Sequence, residues 1–232
     1  MAIESLQNTA SQTNYSLANK KDHHPGFVRF FAHLFSYLFH PLFISLYATY
    51  YLVFIHPGYF DGINDKGKLW ILLRVANNMV FFPMVAVLLL KGVGFIDSIF
   101  LKTQKERIIP YIISNIFFFW MYLVFRNQPE VSSILTAFVF SVFISSSAAL
   151  LANIYFKISM HAIGVGGLLG LMLVILFTNP SSPVTLPLVI TLLITGIVCT
   201  SRMIVGNHSQ KDIYGGLLCG IFCQFAGAWF IL

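Results

Sequence analysis

Charged side chains are scarce in this chain. Only 9% of its 232 residues are charged, whereas a soluble domain carries about a quarter. Hydrophobic residues make up 57%, and the mean hydropathy is +0.80. This composition excludes an ordinary soluble domain. It predicts an all-α fold, a polytopic transmembrane helical bundle of about six to seven spans.

Cysteine pairs and metal-binding motifs are also lacking. The three cysteines, Cys199, Cys219 and Cys223, lie in or near apolar segments and form no C-x-x-C pair, so we expect them to pack between helices. Neither D-x-D nor H-E-x-x-H occurs, and we expect no metal or other cofactor. The net charge of +6 comes from basic residues at helix ends, which does not favour nucleic acid as a partner.

The polar residues are concentrated at the N-terminus. Residues 1–26 are rich in Ser, Asn, Gln and Thr and lack the apolar core and cleavage site of a secretory signal, so we expect a flexible tail. Residues 27–232 are expected to form a single transmembrane domain. The first span, which contains His40 and Pro41, is expected to kink or to begin with an interfacial turn. In chain order the predicted spans are residues 30–55, 69–90, 108–125, 131–156, 161–177, 184–200 and 213–232.

One polar stretch between two apolar runs carries candidate catalytic residues. Ser201, Arg202, His208 and Asp212 follow the spacing S-R-x5-H-x3-D. If a helix begins near His208, Asp212 lies one turn further on the same face, where it can hold one imidazole nitrogen while the other faces outward. Arg202 offers a planar fork of donors for phosphate oxygens. The pattern indicates a histidine beside an anion site, and a polar loop without a chemical role is the alternative.

These residues resemble the third signature of the type 2 phosphatidic acid phosphatase (PAP2) superfamily, S-R-x5-H-x3-D. The stretch K-I-S-M-H at 157–161 is similar to the second signature, which ends in S-G-H, with Met160 in place of the glycine. The stretch K-T-Q-K-E-R-I-I-P at 102–110 is loosely similar to the first, K-x6-R-P, with Arg107 as the family arginine.

The resemblance implies metal-independent hydrolysis of a phosphomonoester or diphosphate lipid through a phosphohistidine. His208 would attack phosphorus, Asp212 would orient it, and His161 would protonate the leaving oxygen. The residues implied to hold the substrate phosphate are Arg202, Arg107, Ser159 and Lys102. The substrates compatible with this chemistry are phosphatidic acid, phosphatidylglycerol phosphate and polyprenyl diphosphates. The expected partners are such a lipid and the surrounding membrane lipids.

Two glycine pairs follow the second and third motifs. Gly166-x3-Gly170 and Gly216-x3-Gly220 each give a helix a smooth face on which a second helix can pack closely. We expect them to bring the fourth, fifth and seventh spans together inside one chain. The same glycines are also compatible with a dimer interface, so the pattern leaves homo-oligomer formation as an alternative.

The number of spans between the motifs predicts that they meet. Two spans separate Arg107 from His161, and two more separate His161 from His208, so all three motifs should return to one membrane face. That face carries ten basic residues, against three on the other face: Lys20, Lys21, Arg29, Lys91, Lys102, Lys105, Arg107, Lys157, Arg202 and Lys211, against Lys66, Lys68 and Arg126. The positive-inside rule then predicts a site at the cytoplasmic face. We expect the membrane to be a bacterial inner membrane.

Two other functions fit the same residues. A relative could use the anion site on an isoprenyl diphosphate for transfer or cyclisation, and product analysis would distinguish it from a phosphatase. A non-catalytic lipid-phosphate binding or transport protein could retain the anion site, and Met160 together with the loose first motif favours it. Substitution of His208 distinguishes this second alternative from a phosphatase, because only a phosphatase would lose its rate of hydrolysis while it still binds lipid phosphate.

Overall fold

The structure is a computed structural model that describes residues 25–99, 101, 103–155, 157–206 and 208–232. Within these ranges the chain is helical and contains no strand. The eight described helices are α1 (Gly26–Leu38), α2 (Pro41–Ile55), α3 (Asp65–Gly92), α4 (Gln104–Arg126), α5 (Ser133–Tyr155), α6 (Met160–Thr178), α7 (Thr185–Ile204) and α8 (Gln210–Ile231). The prediction of an all-α polytopic bundle is confirmed.

Six of these helices, α3 to α8, are long and apolar enough to cross a membrane. The pair α1 and α2 passes the same test only when the two are taken together. The protein is therefore a multi-pass membrane protein. The predicted N-terminal tail lies outside the described residues except for Pro25 and Gly26, and Gly26 begins α1.

The first predicted span is broken in the middle. Helices α1 and α2 meet at an angle of 60°. Between them, His40 caps α2, because its Nδ1 accepts a hydrogen bond from the Leu42 nitrogen at 3.4 Å. Pro41 occupies the first helical position, where its fixed φ favours a helix start and its missing N–H is not needed. The predicted kink is confirmed, and it arises from this His-Pro pair.

The two glycine-rich faces pack against each other in the contact between α6 and α8. Four glycines form it: Gly166, Gly170, Gly216 and Gly220. A Cβ at Gly170 would lie 2.7 Å from Gln224 Cβ, and a Cβ at Gly220 would lie 2.7 Å from the Gly167 nitrogen. Both separations are shorter than real Cβ contacts. The predicted internal packing of these two helices is confirmed.

Helix α5 also packs against α8. Gly227 lies directly against the Ser141 side chain, so that even a methyl group at position 227 would overlap it. The Ser141 hydroxyl donates to the Ala137 carbonyl oxygen at 2.7 Å, which satisfies the buried hydroxyl within its own helix. The three spans predicted to pack closely, now α5, α6 and α8, therefore do so.

Hydrogen bonds join the helix ends that carry the three motifs. Asn153 Nδ2 donates to the Gln104 carbonyl oxygen at 2.9 Å, which ties the end of α5 to the start of α4. The Ser159 nitrogen donates to the Asp212 carbonyl oxygen at 3.2 Å, which ties the start of α6 to the start of α8. The motifs consequently lie at one end of the bundle, as the count of intervening spans predicted.

Candidate active site

The segment between α7 and α8 places a histidine next to a carboxylate. Gly206 follows the end of α7 with a φ of 76°, a left-handed conformation that commonly ends helices. Helix α8 then begins with a capping box: the Ser209 hydroxyl accepts from the Asp212 nitrogen at 3.3 Å, and Asp212 Oδ2 accepts from the Ser209 nitrogen at 2.9 Å. Asp212 Oδ2 also lies 3.7 Å from His208 Nδ1. This is ion-pair range, longer than a direct hydrogen bond.

The environment of His208 keeps its imidazole neutral. Only 6% of the side chain is exposed. Burial, followed by the positive charges of Arg202, Lys157 and Arg107, lowers the pKa of His208 from 6.5 to about 4, and the Asp212 carboxylate opposes this shift. A neutral imidazole keeps a lone pair and is a nucleophile. Because Asp212 faces Nδ1, the nitrogen left for a substrate is Nε2.

Two arginines come from different helices to this histidine. Arg202 lies in the last turn of α7 and Arg107 in the first turn of α4. Arg107 Nε donates to the Leu101 carbonyl oxygen at 2.8 Å, which fixes one edge of its guanidinium group. Arg202 Nε and His208 Nδ1 are buried without a hydrogen-bond partner among the described residues. An unpaired buried donor is costly, and a bound anion would offset that cost at Arg202.

His161 is the second residue of α6 and lies within electrostatic range of Arg202 and His208. Its Nε2 is 3.0 Å from the Ser36 carbonyl oxygen, and since a carbonyl only accepts, Nε2 carries the proton. The ring of His40 stands edge-on to the ring of His161, with 5.4 Å between centroids and an interplanar angle of 85°. The second motif histidine is thus held by the junction between α1 and α2.

Two further predicted phosphate ligands have different outcomes. Ser159 is fully buried, and its Oγ accepts from the Ala162 nitrogen at 3.4 Å as the N-cap of α6. Lys102 lies outside the described residues. Met160, which stands where the resembled family has glycine, contacts the Tyr111 hydroxyl through its sulfur. This contact fills the space between α4 and α6 beside the site.

Sequence reasoning missed three contributors to the site. Ser36 acts through its backbone, so no side-chain pattern could have pointed to it. His40 was expected only to take part in the kink of the first span, whereas its ring contacts the ring of His161. Lys157 is exposed and acts on His208 through its charge. Its position as the first residue of the second motif was the available signal.

Comparisons of the chain with protein-family models, with curated proteins and with solved structures found no match. Within the described ranges, no three His, Cys, Asp or Glu side chains are grouped to hold a metal ion. Among the described residues, the imidazoles of His161 and His208 and the guanidinium group of Arg107 all lie within electrostatic range of Arg202, and the Asp212 carboxylate faces His208. Such a balance of charge favours an anionic ligand with several oxygens.

Proposed function

We propose that this protein is an integral membrane lipid phosphatase that hydrolyses a phosphomonoester or diphosphate lipid through a phosphohistidine on His208. One observation carries the proposal. A buried, neutral His208 has a carboxylate on its Nδ1 side and lies beside Arg202, whose buried Nε has no partner within the described part of the chain. This arrangement combines a nucleophile with an anion site.

The proposed first step transfers the phosphoryl group to the enzyme. Arg202 and Arg107 bind the equatorial phosphate oxygens, where negative charge accumulates in the transition state. His208 Nε2 forms a bond to phosphorus while the bond from phosphorus to the lipid oxygen breaks. A protonated His161 gives its proton to that oxygen, so the lipid leaves as a neutral alcohol, or as a monophosphate when the substrate is a diphosphate.

The proposed second step regenerates the enzyme. Water attacks phosphorus, the bond to His208 Nε2 breaks, and His161 takes the proton that the water loses. Inorganic phosphate is released and both histidines return to their starting states. Asp212 stabilises the positive imidazole ring that exists while His208 carries the phosphoryl group, which explains the value of a carboxylate at 3.7 Å even without a direct hydrogen bond.

The position of the site suits a lipid substrate. The described site residues of the three motifs lie at or next to helix ends, so a headgroup can approach from the membrane interface while its tail stays among apolar helix surfaces. Phosphatidic acid, phosphatidylglycerol phosphate and polyprenyl diphosphates all meet this requirement. The proposed location is a bacterial inner membrane, and the distribution of basic residues supports a site at its cytoplasmic face.

The test is phosphate release from a panel of these lipids, in detergent with a chelator present, by the wild type and His208→Ala. We expect the variant to lose at least about 10³-fold in kcat, since the nucleophile is gone, while it still binds lipid phosphate. His33→Ala, on the exposed side of α1, is the control and should match the wild type.

Other outcomes assign a different function. Equal phosphate release by the wild type and His208→Ala would contradict the proposal. A changed lipid skeleton would indicate transfer or cyclisation of an isoprenyl diphosphate. Binding of lipid phosphate with no turnover would indicate a binding or transport protein. The 3.7 Å separation of His208 Nδ1 and Asp212 Oδ2 is too long for a direct hydrogen bond. A catalytic histidine is normally oriented by such a bond, so this separation favours the binding or transport protein.

A further inference from the structure

The residue assigned as proton donor is held by a part of the chain that none of the three motifs covers. We call residues 36–41, which join α1 to α2, the corner. On one side of the His161 ring, the Ser36 carbonyl oxygen accepts from Nε2 at 3.0 Å. The second contact is the ring of His40, which lies edge-on at 5.4 Å. The corner therefore limits both the translation and the rotation of the His161 imidazole.

The corner is itself fixed to the helix that carries His161. Gly164 lies one turn after His161 in α6, and a Cβ at this position would lie 3.3 Å from Pro41 Cα. This close approach of the two backbones fixes the distance between the corner and α6. His40 is held by its capping bond to the Leu42 nitrogen. Because this bond uses Nδ1 as the acceptor, the proton of a neutral His40 is on Nε2.

Burial strengthens the contact between His161 and Ser36. Ser36 is only 5% exposed, so water does not compete for its carbonyl oxygen. A hydrogen bond in such a low-dielectric position is electrostatically stronger than one at the surface. The bond also selects the tautomer of His161, since the nitrogen that faces a carbonyl must carry a proton.

We propose that the corner orients His161 for proton transfer, with the Ser36 carbonyl keeping a proton on Nε2 and His40 fixing the plane of the ring. This inference rests on the proposed phosphatase function. Nδ1 is then the nitrogen that exchanges protons with the reaction. It gives its proton to the lipid oxygen as the P–O bond breaks, and it receives one from the water that cleaves the phosphohistidine. His40 acts through His161 and is a positioning residue.

The test compares two substrates that differ in their need for a proton donor. A lipid phosphate has a poor alkoxide leaving group, whereas an aryl phosphate with a strongly acidic phenol leaves without protonation. His40→Asn removes the imidazole but keeps an oxygen able to cap α2. We expect this variant to lose about 100-fold in kcat/KM on the lipid phosphate, since a misplaced catalytic group costs that much. Its kcat/KM on the aryl phosphate, which reports only the steps up to release of the phenol, should stay within about threefold of wild type, because that release does not depend on general-acid catalysis.

The control is His33→Asn, which changes an exposed histidine on α1 and should leave both rates unchanged. Equal losses on the two substrates would show that His40 only stabilises the fold, and no loss on either would show that it has no role. Both results would overturn the proposal.

A second measurement decides the role of the corner even if the wild type hydrolyses neither substrate. In protein labelled with ¹⁵N-histidine, at a pH where His161 is neutral and with His161→Gln used for assignment, the His161 resonance should report the Nε2–H tautomer. An Nδ1–H tautomer would overturn the proposal. Absence of turnover with the expected tautomer would refute the phosphatase function and leave the orientation of His161 by the corner intact.

Discussion

The contact between α6 and α8 is so close that a single added methyl group should displace the site. A Cβ at Gly220 would lie 2.7 Å from the Gly167 nitrogen and 3.0 Å from the Gly166 carbonyl carbon. These are backbone atoms of α6, and they cannot rotate away as a side chain could. Favourable contacts between carbon atoms lie at about 3.5–4.0 Å. Gly220→Ala must therefore separate the two helices locally by roughly 1 Å.

This displacement should lower both stability and activity. Overpacking of this kind costs about 1–3 kcal/mol, which corresponds to a melting temperature lower by about 2–4 °C for each kcal/mol. His161 lies near the start of α6 and Asp212 near the start of α8, so the same separation moves the proposed proton donor relative to the proposed nucleophile. A misplacement of about 1 Å can reduce kcat by roughly 100-fold.

The assay combines thermal unfolding in detergent with phosphate release. The matched control is Gly167→Ala on α6, where no described atom lies within 4 Å of the added Cβ. This control should be neutral or stabilising by up to about 1 kcal/mol, because alanine favours the helix more than glycine does. Equal unfolding temperatures for Gly220→Ala and Gly167→Ala would show that the α6–α8 contact tolerates the added methyl group, contrary to this prediction.

Two further predictions concern the histidines outside the spans. Since a neutral His208 attacks phosphorus and a protonated His161 donates, kcat/KM should rise with pH through the lowered His208 pKa of about 4 and fall again at the pH where His161 loses its proton. Lys157→Gln should move that acid limb upward by removing a positive charge, and a wild-type limb near pH 6.5 would contradict the assignment. At the other end of the bundle, His56 Nε2 lies 2.5 Å from Ser182 Oγ. Ser182→Ala should lower the free energy of unfolding by about 1–3 kcal/mol, since it leaves a buried imidazole nitrogen unpaired. Burial lowers the pKa of His56, so its contribution to stability should be full above about pH 6.5 and be lost as the pH falls. Phosphate release should not change in Ser182→Ala, and reduced turnover at unchanged stability would contradict this.

Much of the fold follows from two simple properties of the sequence. The runs of apolar residues predicted the bounds of the spans to within a few residues, because a helix needs roughly 20 apolar residues to cross the hydrocarbon core of a membrane. Small residues repeated at i and i+4 located the contact between α6 and α8. The position of Asp212 one turn beyond His208 also followed from spacing. The capping role of Asp212 was missed, although Ser209 and Asp212 match the S-x-x-D pattern that begins helices.

Other parts of the site depend on tertiary contacts that no local pattern encodes. The bond from His161 to Ser36 joins residues 125 positions apart and uses a carbonyl oxygen that every residue has. The contact of His40 with His161 exists only because α1 and α2 meet at 60°. Ser159 was expected to bind phosphate, but it is buried and caps α6 instead of being open to a ligand. The sequence does not reveal this burial, because it depends on how closely α8 approaches the start of α6.

The two site histidines face different kinds of oxygen, a carboxylate at ion-pair distance and a hydrogen-bonded carbonyl, and the proposed mechanism accounts for that difference. A nucleophilic imidazole becomes positively charged when it carries a phosphoryl group, so the full negative charge of Asp212 near His208 stabilises the intermediate. A proton donor must give up its proton within the same step. A carboxylate beside His161 would hold that proton more strongly, whereas the neutral Ser36 carbonyl orients the ring without adding a charge. A carbonyl beside His208 and a carboxylate beside His161 would therefore impair both steps.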